Sequence, residues 1–171
     1  VFYFLMDHMG SMLYLEEAAL LILITVLIGA AGYVINDYYD SAIDKINKPE
    51  EWIAGNTWSL PRTLNVYKVL VATGAAIALF LAYRLDMLMY FPIYILAVVG
   101  LQLYSSRLKC IAFVGNIWVA LFCGGVVLIM GLPDILEGTP DILLPSFWPY
   151  VFFAFLSTLY REVIKDLEDV H

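Results

Sequence analysis

LYLEEAALLILITVLIGAAGYVI, residues 13–35, runs straight into NDYYDSAID, residues 36–44. The first stretch carries charge only at Glu16 and Glu17 and is long enough to cross a ~30 Å hydrocarbon core as a helix. It then runs out on carboxylates. Asp37, Asp40 and Asp44 stand at i, i+3 and i+7, so a continuing helix puts them on one face. Carboxylates crowded at a membrane boundary repel one another and resist desolvation, so the arrangement calls for a cation.

Working outward, Val66–Tyr83, Met87–Tyr104, Ile111–Leu132 and Leu143–Leu159 are four more apolar runs of spanning length. The chain of 171 residues is 63% hydrophobic, where soluble domains are nearer half, and its mean hydropathy is +0.84. The runs do not alternate apolar with polar, which excludes a strand barrel. The expected fold is an all-α polytopic membrane protein, with residues 1–171 a single transmembrane domain. Val1–Met6 reads as the end of an earlier helix, closed by a polar turn at Asp7, His8, Gly10 and Ser11. With no basic lead-in or cleavage site it is not a signal peptide. The domain is expected to be incomplete at both ends.

Charge placement gives the orientation. If residues 13–35 run toward the cytoplasm, Lys45, Lys48, Arg62, Lys68, Arg107, Lys109, Arg161 and Lys165 all fall at cytoplasmic ends and only Arg84 falls opposite. The loop 133–145, acidic and Pro-rich, then lies outside, and the acidic motif faces the cytoplasm. Net charge is −7, and no nucleic-acid partner is expected. Cys110 and Cys123 fall at different depths, which argues against a bridge. His8 and His171 have no ligand spacing.

The far end repeats the acidic pattern. In Tyr160-Arg161-Glu162-Val163-Ile164-Lys165-Asp166-Leu167-Glu168-Asp169, the side chains of Glu162, Asp166 and Asp169 share a helical face at i, i+4 and i+7. Each acidic segment follows a helix running inward, a faint internal echo of the kind two facing halves would leave. The two read as halves of one divalent-metal site. Asp40, Asp44 and the Asn36 amide offer oxygens of the kind Mg²⁺ takes together with waters and substrate phosphates. The rival reading of the second segment alone is an ion-paired helix, with Arg161, Lys165, Glu162 and Glu168 interleaved. Tyr104-Ser105-Ser106-Arg107-Leu108-Lys109 adds positive charge. Arg107 and Lys109 suit the remaining oxygens of a metal-held diphosphate, although a short basic loop also follows from topology alone. Lys45, Arg161 and Lys165 are further diphosphate candidates under the same two readings. Aromatic residues make up 15% of the chain. Most belong at the lipid interface, while Tyr39, Tyr104 and Tyr160 lie nearest the charged motifs, where a ring can face a carbocation. Asp37, Tyr104 and Tyr160 stand as the catalytic candidates.

Asn36-Asp37-x-x-Asp40-x-x-x-Asp44, followed by Ile46-Asn47-Lys48-Pro49, resembles the UbiA-type intramembrane prenyltransferases. The second motif is similar to that family's second Asp-rich region, in the version found in archaeal digeranylgeranylglyceryl phosphate synthases. Leu103–Lys109 followed by Gly115-Asn116 is similar to the loop between the family's fourth and fifth helices. The resemblance spans Leu13 to Val170. It implies a bundle of nine transmembrane helices around a central cavity, of which this chain holds about five and a fragment. It implies Mg²⁺-dependent (or Mn²⁺-dependent) transfer of a polyprenyl group from its diphosphate to a lipid-soluble acceptor. Asn36, Asp40 and Asp44 would hold metal from one side, Asp166 and Asp169 from the other, and Arg107 or Lys109 would steady the diphosphate. The acceptor would be geranylgeranylglyceryl phosphate in the archaeal branch, and an aromatic quinone, haem or chlorophyll precursor in others. The sequence departs from the pattern at Glu50-Glu51-Trp52-Ile53-Ala54-Gly55-Asn56, where the family carries an Arg-Pro-x-Pro-Ser-Gly stretch, and in the five-residue step from Tyr104 to Lys109, which is usually four. An inactive relative, a membrane phosphotransferase and a non-enzymatic ion or lipid carrier are the rival readings. Charges clustered at one face beside basic residues favour a bound anion over a conducted ion.

Overall fold

The computed structural model describes residues 13–47, 49–50, 52–111, 113–137 and 143–168, and they are helical with short connections. The helices are α1 (Leu15–Asn47), α2 (Leu60–Arg84), α3 (Tyr90–Ser106), α4 (Val114–Met130), α5 (Leu132–Glu137) and α6 (Leu143–Glu168), with a 3₁₀ turn at Leu108–Cys110. The sole β pairing among the described residues is an isolated bridge between Ala54 and Trp58. The five long helices stand where the five apolar runs were read. By length and composition α1 and α2 can each cross a membrane, and α3 and α4 are shorter apolar helices. Their sides carry large apolar residues in the open, among them Val26, Val69, Leu96, Leu121, Phe153 and Leu156. Water would not tolerate so much exposed apolar surface on helices, whereas lipid requires it.

Local chemistry explains the ends. The Tyr14 backbone N–H donates to Glu17 Oε2 at 2.9 Å, the reach-back half of a capping box. Glu16 and Glu17 in the first turn of α1 and Lys45 in the last both complement the helix dipole. Thr25, inside the apolar stretch, returns its hydroxyl to the Leu21 carbonyl at 2.8 Å, so no polar group is left bare there. α2 begins ahead of the apolar run read from Val66, with Pro61 at its start. The proline sits in the first turn, where a missing N–H costs nothing. The loop expected over 133–145 likewise begins as a helix. Gly131 ends α4, and Leu132–Glu137 then coils with Asp134 in its first turn.

The described residues fall into two compact units. One is Leu20–Leu108, comprising most of α1 with α2 and α3. In it Gly74 of α2 lies against the Tyr94 ring of α3, whose hydroxyl donates to the Val71 carbonyl at 2.6 Å. Tyr67 of α2 donates to Gln102 Oε1 of α3 at 3.4 Å. Gly32 of α1 faces Leu101 of α3. The other unit takes the described residues from Lys109 onward with the first turns of α1. There α4 lies along α6, with Gly124 against Val151 and Phe155. Fully buried Phe147 fills the space beside Gly131 and packs on Val127, Leu128, Ile135 and Val151.

Candidate metal and diphosphate site

The first acidic segment is the last part of α1 itself, so the helix carries Asn36, Asp37, Asp40 and Asp44 out of the apolar stretch without a break. All four are half-buried. The Asn36 side-chain amide donates to Asp40 Oδ2 at 2.8 Å, one helical turn away, which fixes that carboxylate on the face it shares with Asp44. Lys45, one residue beyond, reaches over the Trp52 ring, its Nζ 5.8 Å from the ring centre. Arg62 stands over Trp58 in the same way at 5.4 Å. The loop between α1 and α2 is thus compact. Gly55, at φ +100°, donates its N–H to the Trp58 carbonyl at 2.6 Å, and the Trp58 N–H returns to the Ile53 carbonyl at 3.0 Å. Two tryptophans of this loop thus each lie against a flanking cation, and Glu51 lies outside the described residues.

Tyr104 occupies the last turn of α3, half-buried, and Arg107 follows as its exposed C-cap, its N–H bonded to the Leu103 carbonyl at 3.0 Å. Lys109 is half-buried in the 3₁₀ turn and belongs to the second unit.

The second acidic segment continues α6 through Glu168, again as part of an apolar helix; Asp169 lies outside the described residues. Glu162 is nearly buried, and its Oε1 accepts from Arg161 Nη1 at 2.7 Å. The expected metal ligand and the expected diphosphate contact therefore bind each other. Asp166 is exposed and held from another helix: Asn116 Nδ2 on α4 donates to its Oδ2 at 2.7 Å. Tyr160, Arg161, Ile164, Lys165 and Glu168 line one shallow open face of α6.

Among the described residues no three His, Cys, Asp or Glu side chains converge as a metal site. The donors present are amide and carboxylate oxygens, which suit a hard divalent cation that keeps waters and substrate oxygens in its shell. Three residues here were not singled out as functional from the sequence: Asn116, Trp52 and Trp58. Asn116 had a faint signal, an amide in the first turn of a span just after Gly115; the tryptophans had none, because their cations are set by the loop's turn.

The sequence model of the UbiA prenyltransferase family matches residues 4–171. This chain belongs to that family. UbiA-family relatives from Thermococcus kodakarensis and Saccharolobus solfataricus, both named digeranylgeranylglyceryl phosphate synthase, are each 34% identical to it, over 94% of its length. A further synthase of that name, from Thermococcus gammatolerans, is 33% identical over 97% of the chain. A solved structure from work on digeranylgeranylglyceryl phosphate synthase in membranes superposes with a TM-score of 0.70 at 25% identity, covering 93% of this chain and 53% of that one. The chain spans about half the length of these relatives, 54% in the first two. The family and the helical match make it an integral membrane chain.

Proposed function

We propose that this chain carries the diphosphate-binding part of a polyprenyltransferase that moves a polyprenyl group from an allylic diphosphate to a lipid-soluble acceptor. The acceptor is the free hydroxyl of geranylgeranylglyceryl phosphate, giving an archaeal ether lipid. Relatives bearing that synthase name at 34% identity support the choice over an aromatic acceptor. The observation that carries the reading is that both acidic segments are unbroken extensions of apolar helices, each with an aspartate pinned by an asparagine amide. Residues 1–171 belong to one transmembrane prenyltransferase domain, as the continuous family match supports.

Asn36, Asp40 and Asp44 would be one set of divalent-metal ligands, and Asp166 and Asp169 another. The ion is Mg²⁺, with Mn²⁺ a workable substitute. When bound, it neutralises the charge that grows on the departing diphosphate. Arg107, Lys109 and Lys165 meet the remaining phosphate oxygens. Lys45 acts near the same group from its seat on Trp52, and Arg161 serves to balance Glu162. Asp37, Tyr104 and Tyr160 line the reacting end, where ring faces stabilise an allylic cation and exclude water. All of these groups face the cytoplasm, in keeping with the basic residues beside them.

The test is prenyl transfer by the full-length protein in detergent or vesicles, with geranylgeranyl diphosphate and geranylgeranylglyceryl phosphate. Asp40→Ala and Asp166→Ala are each expected to remove activity while leaving the melting transition in place. Excess chelator should stop turnover and added Mg²⁺ should restore it. Wild-type turnover in either variant, or in chelator, would overturn the reading.

A further inference from the structure

We propose that Asn116 is a positioning residue of the second acidic segment, doing for Asp166 what Asn36 does for Asp40. The inference rests on the metal-binding reading of Asp166 above. In α1 the amide four residues before the aspartate, Asn36, donates to Asp40 Oδ2 at 2.8 Å. In α6 the residue four before Asp166 is Glu162, an acceptor, and it is engaged by Arg161 at 2.7 Å. The donor is supplied instead from α4. Asn116 Nδ2 meets Asp166 Oδ2 at 2.7 Å across fifty residues of sequence. The two carboxylates receive the same kind of donor at nearly the same distance by different routes. One route lies within a helix; the other crosses between two.

The crossing is firmly placed. Asn116 lies in the first turn of α4, next to buried Gly115. Two turns further on, Gly124 lets α4 approach α6 closely enough that an added Cβ would stand 3.4 Å from the Val151 carbonyl oxygen. A half-buried amide on a helix locked in this way fixes the rotamer of an exposed aspartate that would otherwise swing freely. An N–H directed at one carboxylate oxygen leaves the anionic character of the group intact for a cation.

The experiment uses the full-length protein with Asn116→Ala, Asp166→Ala and the double variant. Three quantities are read: the Mg²⁺ concentration giving half-maximal transfer, Mn²⁺ binding to the substrate-free protein by electron paramagnetic resonance, and the melting temperature without metal. Asn116→Ala is expected to raise the Mg²⁺ requirement and weaken Mn²⁺ binding about tenfold or more, the usual range for a residue supporting a metal ligand. The KM for prenyl diphosphate at saturating Mg²⁺ and the metal-free melting temperature should stay close to wild type. The double variant should bind Mn²⁺ no more weakly than Asp166→Ala alone. If Asn116→Ala does not fold, Asn116→Ser, too short to reach Asp166, carries the same readouts. An unchanged Mg²⁺ requirement beside an inactive Asp166→Ala overturns the role of Asn116 and leaves the metal reading standing. An active Asp166→Ala overturns the metal reading itself.

Discussion

Trp52 shows at the scale of one residue how the loop after the first acidic segment is held. Its ring lies beneath Lys45, while its indole N–H is buried without a hydrogen-bond partner. An unmet buried donor costs about 1–3 kcal/mol, more than an exposed cation–π contact of about 0.5–1 kcal/mol returns. Trp52→Phe keeps a ring under the cation and removes the unmet donor. Its melting temperature in detergent is expected to equal or exceed that of the parent, while Trp52→Ala should melt lower. A phenylalanine variant as unstable as the alanine one would mean that the indole N–H is satisfied. The same scale marks what the sequence could reveal about the site. Asn36 and Asp40 are one turn apart on a helix whose course was evident, so their contact was within reach of spacing alone. The bond between Asn116 and Asp166 was not, because it depends on how α4 and α6 pack, and spacing carries no information about that.

Helices were legible where composition and length act together. The five apolar runs became α1, α2, α3, α4 and α6, and the helical reading of both acidic segments holds through Asn47 and Glu168. The misread borders are the start of α2, which lies ahead of the run read from Val66 because Pro61 is accepted in a first turn, and the stretch after Gly131, where a helical turn stands in the expected loop. Packing between elements adds tests of its own. At Gly74 a Cβ would stand 2.8 Å from the Tyr94 hydroxyl that bonds the Val71 carbonyl. Gly74→Ala is therefore expected to destabilise the pairing of α2 with α3 by about 1–3 kcal/mol. Tyr94→Phe, which loses only the hydrogen bond, should cost about 0.5–1.5 kcal/mol. Gly74→Ala in the Tyr94→Phe background should cost less than alone, because the shortest contact is with the hydroxyl, while ring carbons at 3.0 and 3.2 Å keep part of the cost. Denaturation of all three variants measures the difference.

For the whole molecule, the side of the membrane that the charged ends occupy can be tested through its two cysteines. Cys110 is exposed in the 3₁₀ turn beside Lys109, whereas Cys123 lies within the apolar helix α4. A membrane-impermeant maleimide is expected to label Cys110 in inside-out vesicles and to spare it in intact cells. Labelling from the outside would invert the orientation drawn from the basic residues. That orientation was read from the placement of nine basic residues. Both acidic segments were recognisable because they interrupt apolar sequence at regular intervals. Their joint use in one site was read from the repeated acidic pattern alone, and Asp40 and Asp166 are carried by separate compact units.

The length of α1 has a consequence for how such a chain can vary. The helix is a single rod of 33 residues, about 50 Å long, with its lipid-crossing part and its carboxylates on one continuous backbone. Inserting one residue among Ile22–Ile28 would turn everything after it by about 100° and raise it by about 1.5 Å, leaving Asp40 and Asp44 aimed at a different quarter of the protein. Seven residues would restore the azimuth to within about 20° but displace the carboxylates by about 10 Å along the axis. No insertion corrects both angle and height. Substitution along the greasy stretch is thus permissive, while its residue count is under the same constraint as the aspartates themselves.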